Sequence, residues 1–132
     1  MEPIEVSAVA IRDGEGRVLL CRRTGTLEGR WEFPGGKREK GETMAQCARR
    51  ELLEELGVHA RLTRALCQMP WETPEKNLLF TFFEACLAQG ETPELRVHSA
   101  AEWVAPEKIG AYTLCDADAA FINTYYNVLL EK

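Results

Sequence analysis

Four glutamates fall within the 14 residues from Glu42 to Glu55 of this 132-residue chain. Three of them share one flank of a single helix. At about 100° per residue, with Leu52 set at zero, Glu55 projects at about −60°, Glu51 at about −100° and Glu54 at about −160°. Glu51 and Glu55 stand four residues apart, where like charges cost a helix roughly a few tenths of a kcal/mol. A hard divalent cation offsets that repulsion, and Mg²⁺ commonly takes one or two carboxylates together with substrate phosphates. The loop before the helix contains Pro34-Gly35-Gly36-Lys37-Arg38, whose backbone and cations can approach the same place. Between positions 22 and 40, Arg22, Arg23, Arg30, Lys37, Arg38 and Lys40 outnumber Glu28, Glu32 and Glu39. A cationic stretch beside a carboxylate ridge suits a small polyanion, and the combination points to phosphoryl chemistry. The bland alternative is a solvated acidic face; against it, the ridge borders the apolar stripe instead of lying opposite.

The elements that must position these groups are legible as periodic patterns. Thr43 followed by Gln46 is a capping box, and Gly57 stands where a left-handed C-terminal cap belongs. Between them Ala45, Ala48, Leu52 and Leu56 form the stripe expected to be buried. Strands are expected over 5–11 and 18–21, joined by the turn Asp13-Gly14-Glu15-Gly16. A short strand over 31–33 is expected to stop at Pro34. Further strands are expected over 59–69, 77–87 and 102–104, with Pro70 to Pro74 as a connecting loop. A second helix is expected over 116–130, capped by Asp116. Strands interspersed with two helices indicate an α/β class, a sandwich around one mixed sheet.

Composition bounds the rest. With 45% hydrophobic and 28% charged residues, the length suits one domain over 1–132. A formal net charge of −5 argues against a general nucleic-acid coat. No apolar run nears the ~18 residues of a membrane span. From the acidic start Glu2-Pro3-Ile4-Glu5 no secretory signal is expected. Five scattered cysteines (21, 47, 67, 86, 115), with no C-x-x-C pair, suggest a reducing cytoplasm. His59 and His98 read as surface or strand histidines. Trp71 and Trp103 read as packing residues, with Trp71 in a loop that could cover a ligand.

From Gly36 through Glu42 to Arg50-Glu51-Leu52-Leu53-Glu54-Glu55-Leu56-Gly57-Val58, the chain resembles the Nudix box, over 36–58. Seven fixed letters at ~6–7% usage coincide by chance about once in 10⁸ starting points. Arg22-Arg23, Trp31 to Lys37, Gly41-Glu42-Thr43 and Glu102-Trp103-Val104 extend the resemblance to MutT-type and CTP-pyrophosphohydrolase-like members. The resemblance implies a Nudix α/β/α sandwich and hydrolysis of a nucleoside triphosphate to monophosphate and pyrophosphate. It implies Mg²⁺ or Mn²⁺ held by Glu51, Glu54, Glu55 and the Gly35 carbonyl. Arg50 is expected to align the carboxylates and Glu51 to activate water. Arg23 and Lys37 are expected at the polyphosphate, with Phe33 and Asp118 at the nucleobase.

Two departures accompany the resemblance. Six residues before Trp103, where many MutT-type proteins carry a loop glutamate, stands Val97. The proton acceptor is then Glu51, or else Glu94 or Glu102. Asp118 stands where the oxidised-guanine enzymes place Asn; an ionised Asp only accepts hydrogen bonds, which suits the exocyclic amine of cytosine. The substrate is therefore expected to be of the 8-oxo-dGTP or the CTP/dCTP kind. The alternatives are a hydrolase of another nucleoside diphosphate derivative, such as ADP-ribose, and a non-catalytic nucleotide-sensing module. A nucleotide is the expected partner, with no nucleic-acid polymer or membrane, for a monomer or homodimer.

Overall fold

A computed structural model describes residues 2–131. Its centre is the strand β1 (Ile4–Arg12), in which Ala8, Val9, Ala10 and Ile11 are all buried. A strand apolar on both faces needs cover on both, and side-chain alternation decides what goes where. Ala8 and Ala10 join Val18, Leu20, Phe33, Phe82 and Phe121 in one core, while Val9 and Ile11 join Leu19, Cys21, Ala48, Leu52 and Leu56 in the other. The helix α1 (Met44–Leu56) closes the second core and α2 (Asp116–Leu130) the first. The expected α/β/α sandwich around a mixed sheet is what the structure shows.

The main sheet order is β3 (Trp31–Glu32), β2 (Val18–Arg22), β1, β6 (Asn77–Leu87) and β5 (Ala60–Glu72), with β1 parallel to β6. β4 (Gly35–Lys37) pairs with the start of β1, while β2 meets β1 only at Arg12↔Val18. The edge of β1 is thus shared between two strands, and residues 33–36 wedge into the split, with Val9 N–H donating to the Pro34 carbonyl at 2.8 Å. β7 (Ala100–Val104) flanks β2 on its other side.

α1 forms as its sequence dictates. Thr43 and Gln46 exchange hydrogen bonds of 3.1 and 2.8 Å, satisfying two end donors at once, and Gly57 closes the helix in the left-handed region. Ala48, Leu52 and Leu56 are fully buried, Ala45 is only half-buried, and Cys47 takes a core position that the stripe omitted.

Several expectations are corrected. The short strand does end before Pro34, at Glu32, but the segment after it is not all loop: Gly35–Lys37 form β4, whose glycines serve close packing. Pro70 and Trp71 belong to β5, not to a loop; β5 is an edge strand, where a missing N–H costs no ladder bond. Asp116 does not cap α2. Cys115 is the N-cap, without a side-chain cap bond, and Asp116 instead pairs with Arg30 at 3.0 Å. A 3₁₀ turn over Pro106–Ala111, which carries no apolar period, precedes α2. Among the described residues no helix is long and apolar enough to cross a membrane.

Candidate active site

An open cleft of about 750 Å³ runs across the split in the sheet, a size suited to a small ligand. One end is lined by Gly35, Gly36, Glu55 and His98, the other by Phe33 and Asp118, with Arg23 and Glu32 in the wall. Lys37, exposed and in no ion pair among the described residues, stands at the rim.

Arg50 organises the carboxylate end. Its Nη1 lies 2.8 Å from Glu51 and 3.2 Å from Glu54, and its Nη2 donates to the Lys37 carbonyl at 3.0 Å. Glu51 and Glu55 are nearly buried, at 15% and 14% exposure, whereas Glu54 at 57% turns to solvent. The expected ridge is therefore two core-flanking carboxylates plus one outer one. Burial first, then the neighbouring Glu51 and the charge of Glu32, pushes the Glu55 carboxyl well above its ordinary range.

Close backbone approach lets this end assemble. A Cβ on Gly35 would collide with the Ser7 carbonyl, and one on Gly36 with the Glu51 carboxylate. Backbone blocks a side chain at Gly35, where β4 lies against β1, whereas at Gly36 the space is taken by the movable end of Glu51.

At the opposite end Asp118 is buried, and its Oδ1 accepts the Phe33 N–H at 3.0 Å. Phe33 is 3% exposed and packs edge-on to Phe82 and Phe121, so it belongs to the core and to the cleft wall together. Burial, opposed by the Phe33 N–H and aided by Glu32, lifts the Asp118 carboxyl to about 7. Asp118 is thus not the plainly ionised acceptor expected, but a group near balance between donor and acceptor at neutral pH.

The NUDIX domain family model matches residues 1–125. The chain belongs to the Nudix family. It is 32% identical over 127 residues to a CTP pyrophosphohydrolase of Escherichia coli K12, covering 95% of this chain and 93% of that one. To an 8-oxo-dGTP diphosphatase of Haemophilus influenzae it is 34% identical over 129 residues, covering 94% and 92%. The solution structure of the E. coli ORF135 protein superposes with a TM-score of 0.84 at 30% identity, covering 97% of this chain and 91% of that one. The MutT protein from Methanosarcina mazei Go1 gives 0.83 at 27% identity, covering 99% and 98%. The family match and these relatives make the chain a Nudix hydrolase.

This Nudix site has donors that fit a divalent cation. Oε1 of Glu55 is buried without a hydrogen-bond partner, beside the Glu51 carboxyl and the tight Gly35-Gly36 backbone. Among the described residues no three acidic, His or Cys side chains meet at one point, and Arg50 pairs with Glu51 and Glu54. Glu94 and Glu102 are not brought to the cleft. Glu94 pairs with Arg96 beyond the C-terminus of α1, and Glu102 accepts from the Tyr112 hydroxyl.

His98 corrects its reading as a surface or strand histidine: its side chain is 4% exposed and faces Glu32 and Glu55. Glu32, which sequence reasoning passed over, lies between His98 and Arg23. Alternation carried the signal, since Glu32 pairs with Cys21 and so shares the α1 face of the sheet.

Proposed function

We propose that this Nudix hydrolase converts a nucleoside triphosphate to the monophosphate and pyrophosphate, clearing 8-oxo-dGTP or CTP/dCTP-type nucleotides. The carrying observation is one cleft with a crowded carboxylate cluster at one end and the buried Asp118–Phe33 edge at the other. The relatives named for CTP and for 8-oxo-dGTP support both substrate types.

Glu55, Glu51 and Glu54, with the Gly35 carbonyl, are the residues to hold Mg²⁺ or Mn²⁺. Such a cation supplies Lewis-acid polarisation of phosphate oxygens and a more acidic water. Arg23, whose Nη2 has no protein partner among the described residues, and Lys37 supply charge to the polyphosphate. Arg50 orients the carboxylates through its spread of donors. Glu51 accepts a proton from the attacking water; the water oxygen bonds to phosphorus as the P–O bond between the α and β phosphates breaks. Asp118 reads the base through Oδ2, because Oδ1 is committed to Phe33.

The test is a product-resolved screen by phosphorus NMR over CTP, dCTP, 8-oxo-dGTP, the ordinary nucleotides and ADP-ribose, with Mg²⁺, Mn²⁺ or excess chelator. Monophosphate and pyrophosphate from a triphosphate, abolished by chelator, is expected. Preferred turnover of ADP-ribose, or full turnover without metal, overturns the reading. Nucleotide binding with no turnover indicates the sensing module.

A further inference from the structure

At the carboxylate end of the cleft two buried polar atoms lack a hydrogen-bond partner, Oε1 of Glu55 and Nδ1 of His98. They belong to one chain of contacts. Nε2 of His98 lies 2.9 Å from Oε2 of Glu32 and 3.9 Å from Oε1 of Glu55. The other oxygen of Glu32 lies 2.9 Å from Nη1 of Arg23, whose Nε donates to the Thr26 carbonyl at 2.8 Å. One carboxylate therefore ties the arginine of the cleft wall to the imidazole, and the imidazole abuts the carboxylate whose free oxygen is expected to meet a cation.

The proton placement on His98 follows from its neighbours. Nε2 faces carboxylate oxygens on two sides, so it carries the N–H; a lone pair there would oppose both. Nδ1 is sealed from solvent and has no acceptor in reach, so it is the bare nitrogen, since a buried N–H without a partner is the costlier choice. With its Nε2–H donating to Glu32 and its Nδ1 closed off, the ring is badly placed to take a proton from water in the cleft. It is well placed to hold carboxylates still.

We propose that His98 is a positioning residue: it donates through Nε2 to Glu32, thereby fixing Arg23 for the phosphates, and it packs 3.9 Å from Oε1 of Glu55, walling that carboxylate in at the cation end. This rests on the metal-dependent triphosphate reading above. Groups that orient metal-binding carboxylates change metal affinity by roughly 10–100-fold when removed.

The test measures Mn²⁺ affinity by electron paramagnetic resonance, without substrate, alongside kcat and KM for the best triphosphate. His98→Ala is expected to weaken Mn²⁺ about tenfold and to raise KM several-fold. His98→Gln, which keeps an N–H donor but no ring, is expected to restore most of both. Glu32→Gln, which sets an amide against Arg23, is expected to raise KM more than it weakens Mn²⁺, and it serves if His98→Ala fails to fold. Wild-type Mn²⁺ affinity and KM in the His98 variants overturn the proposal. So does a His98→Gln protein as inactive as His98→Ala with Mn²⁺ binding intact, because the ring is then a proton acceptor. A wild-type chain that binds no Mn²⁺ overturns the function reading as well, whereas normal wild-type binding with indifferent variants overturns this inference alone.

Discussion

Arg50 grips Glu42 with two nitrogens at once, Nη2 2.7 Å from Oε1 and Nε 3.0 Å from Oε2, across the turn that opens α1. The same guanidinium reaches Glu51 and Glu54, so the segment before the helix and the helix itself share one cation. A planar fork with five donors can do this, and a lysine cannot.

That pair makes stability depend on acid. Arg50, and then the Glu39 N–H, holds the Glu42 carboxyl down to about 2 from an ordinary 4.5. A depressed carboxyl contributes stability that is fully present above its unfolded value and lost as pH falls through its folded one. Urea midpoints of the wild type should therefore fall between about pH 4.5 and 2. In Glu42→Gln this contribution is absent, so its curve should be lower above that window and flatter within it. Parallel curves for the two proteins would remove Glu42 from acid stability.

Glu51→Gln retains shape while removing charge and proton-accepting ability. Loss of a general base costs typically ~10²–10⁴-fold in kcat, and more where a metal ligand weakens too. Melting temperature without metal should change little, because relief of crowding with Glu55 is offset by a weaker bond from Arg50 to an uncharged amide. Wild-type turnover in the variant would take Glu51 out of the mechanism.

The two glycines of β4 should fail differently. Gly35→Ala drives a methyl into the Ser7 carbonyl, where backbone must shift, at a cost of about 1–3 kcal/mol seen as a lower melting temperature. Gly36→Ala meets the movable end of Glu51 instead. Its folding should change less, while Mn²⁺ affinity and kcat drop. Equal effects on folding and on metal binding in the two variants would contradict the packing described.

Asp118 should make base choice respond to pH. Lifted to about 7, its carboxyl donates through Oδ2 in acid and accepts in alkali. The ratio of kcat/KM for dCTP to that for 8-oxo-dGTP should rise from pH 6 to pH 8.5 in the wild type and stay level in Asp118→Asn. A raised carboxyl also contributes stability that is fully present below its unfolded value of 3.8 and lost as pH climbs to its folded value of about 7. Asp118→Asn should accordingly gain in melting temperature relative to wild type as pH rises from 3.8 to about 7. A ratio that is flat with pH in both proteins would leave Asp118 as a packing residue.

Local signals were legible where one stretch of chain carries all the determinants. The Thr43–Gln46 box, the Leu52–Leu56 stripe and Gly57 specify α1 without help from the rest of the fold. The strand alternation in β1 likewise places Ala8 and Val9 on opposite cores. Pro34-Gly35-Gly36 read as loop because a glycine pair carries no strand signal of its own; its real demand, room beside Ser7 and Glu51, lies in distant segments. Pro70 misled because only sheet order makes β5 an edge. His98 had no periodic context, and alternation gave Glu32 only its face: their meaning is the contact between them, across 66 positions of chain.

The pairing of Ile4 with Leu78 in a parallel register also has a consequence for how the protein is made. Parallel partners far apart in sequence cannot join until the intervening chain exists, and closing such loops is slow. On the ribosome, residues 42–55 can therefore emerge and coil before β1 has its lasting neighbour. The carboxylates of α1 then precede any groove in which to work, and His98 and Asp118 arrive after β6. A nascent chain halted before Leu78 should expose the apolar faces of β1, making that interval the time of greatest need for a chaperone.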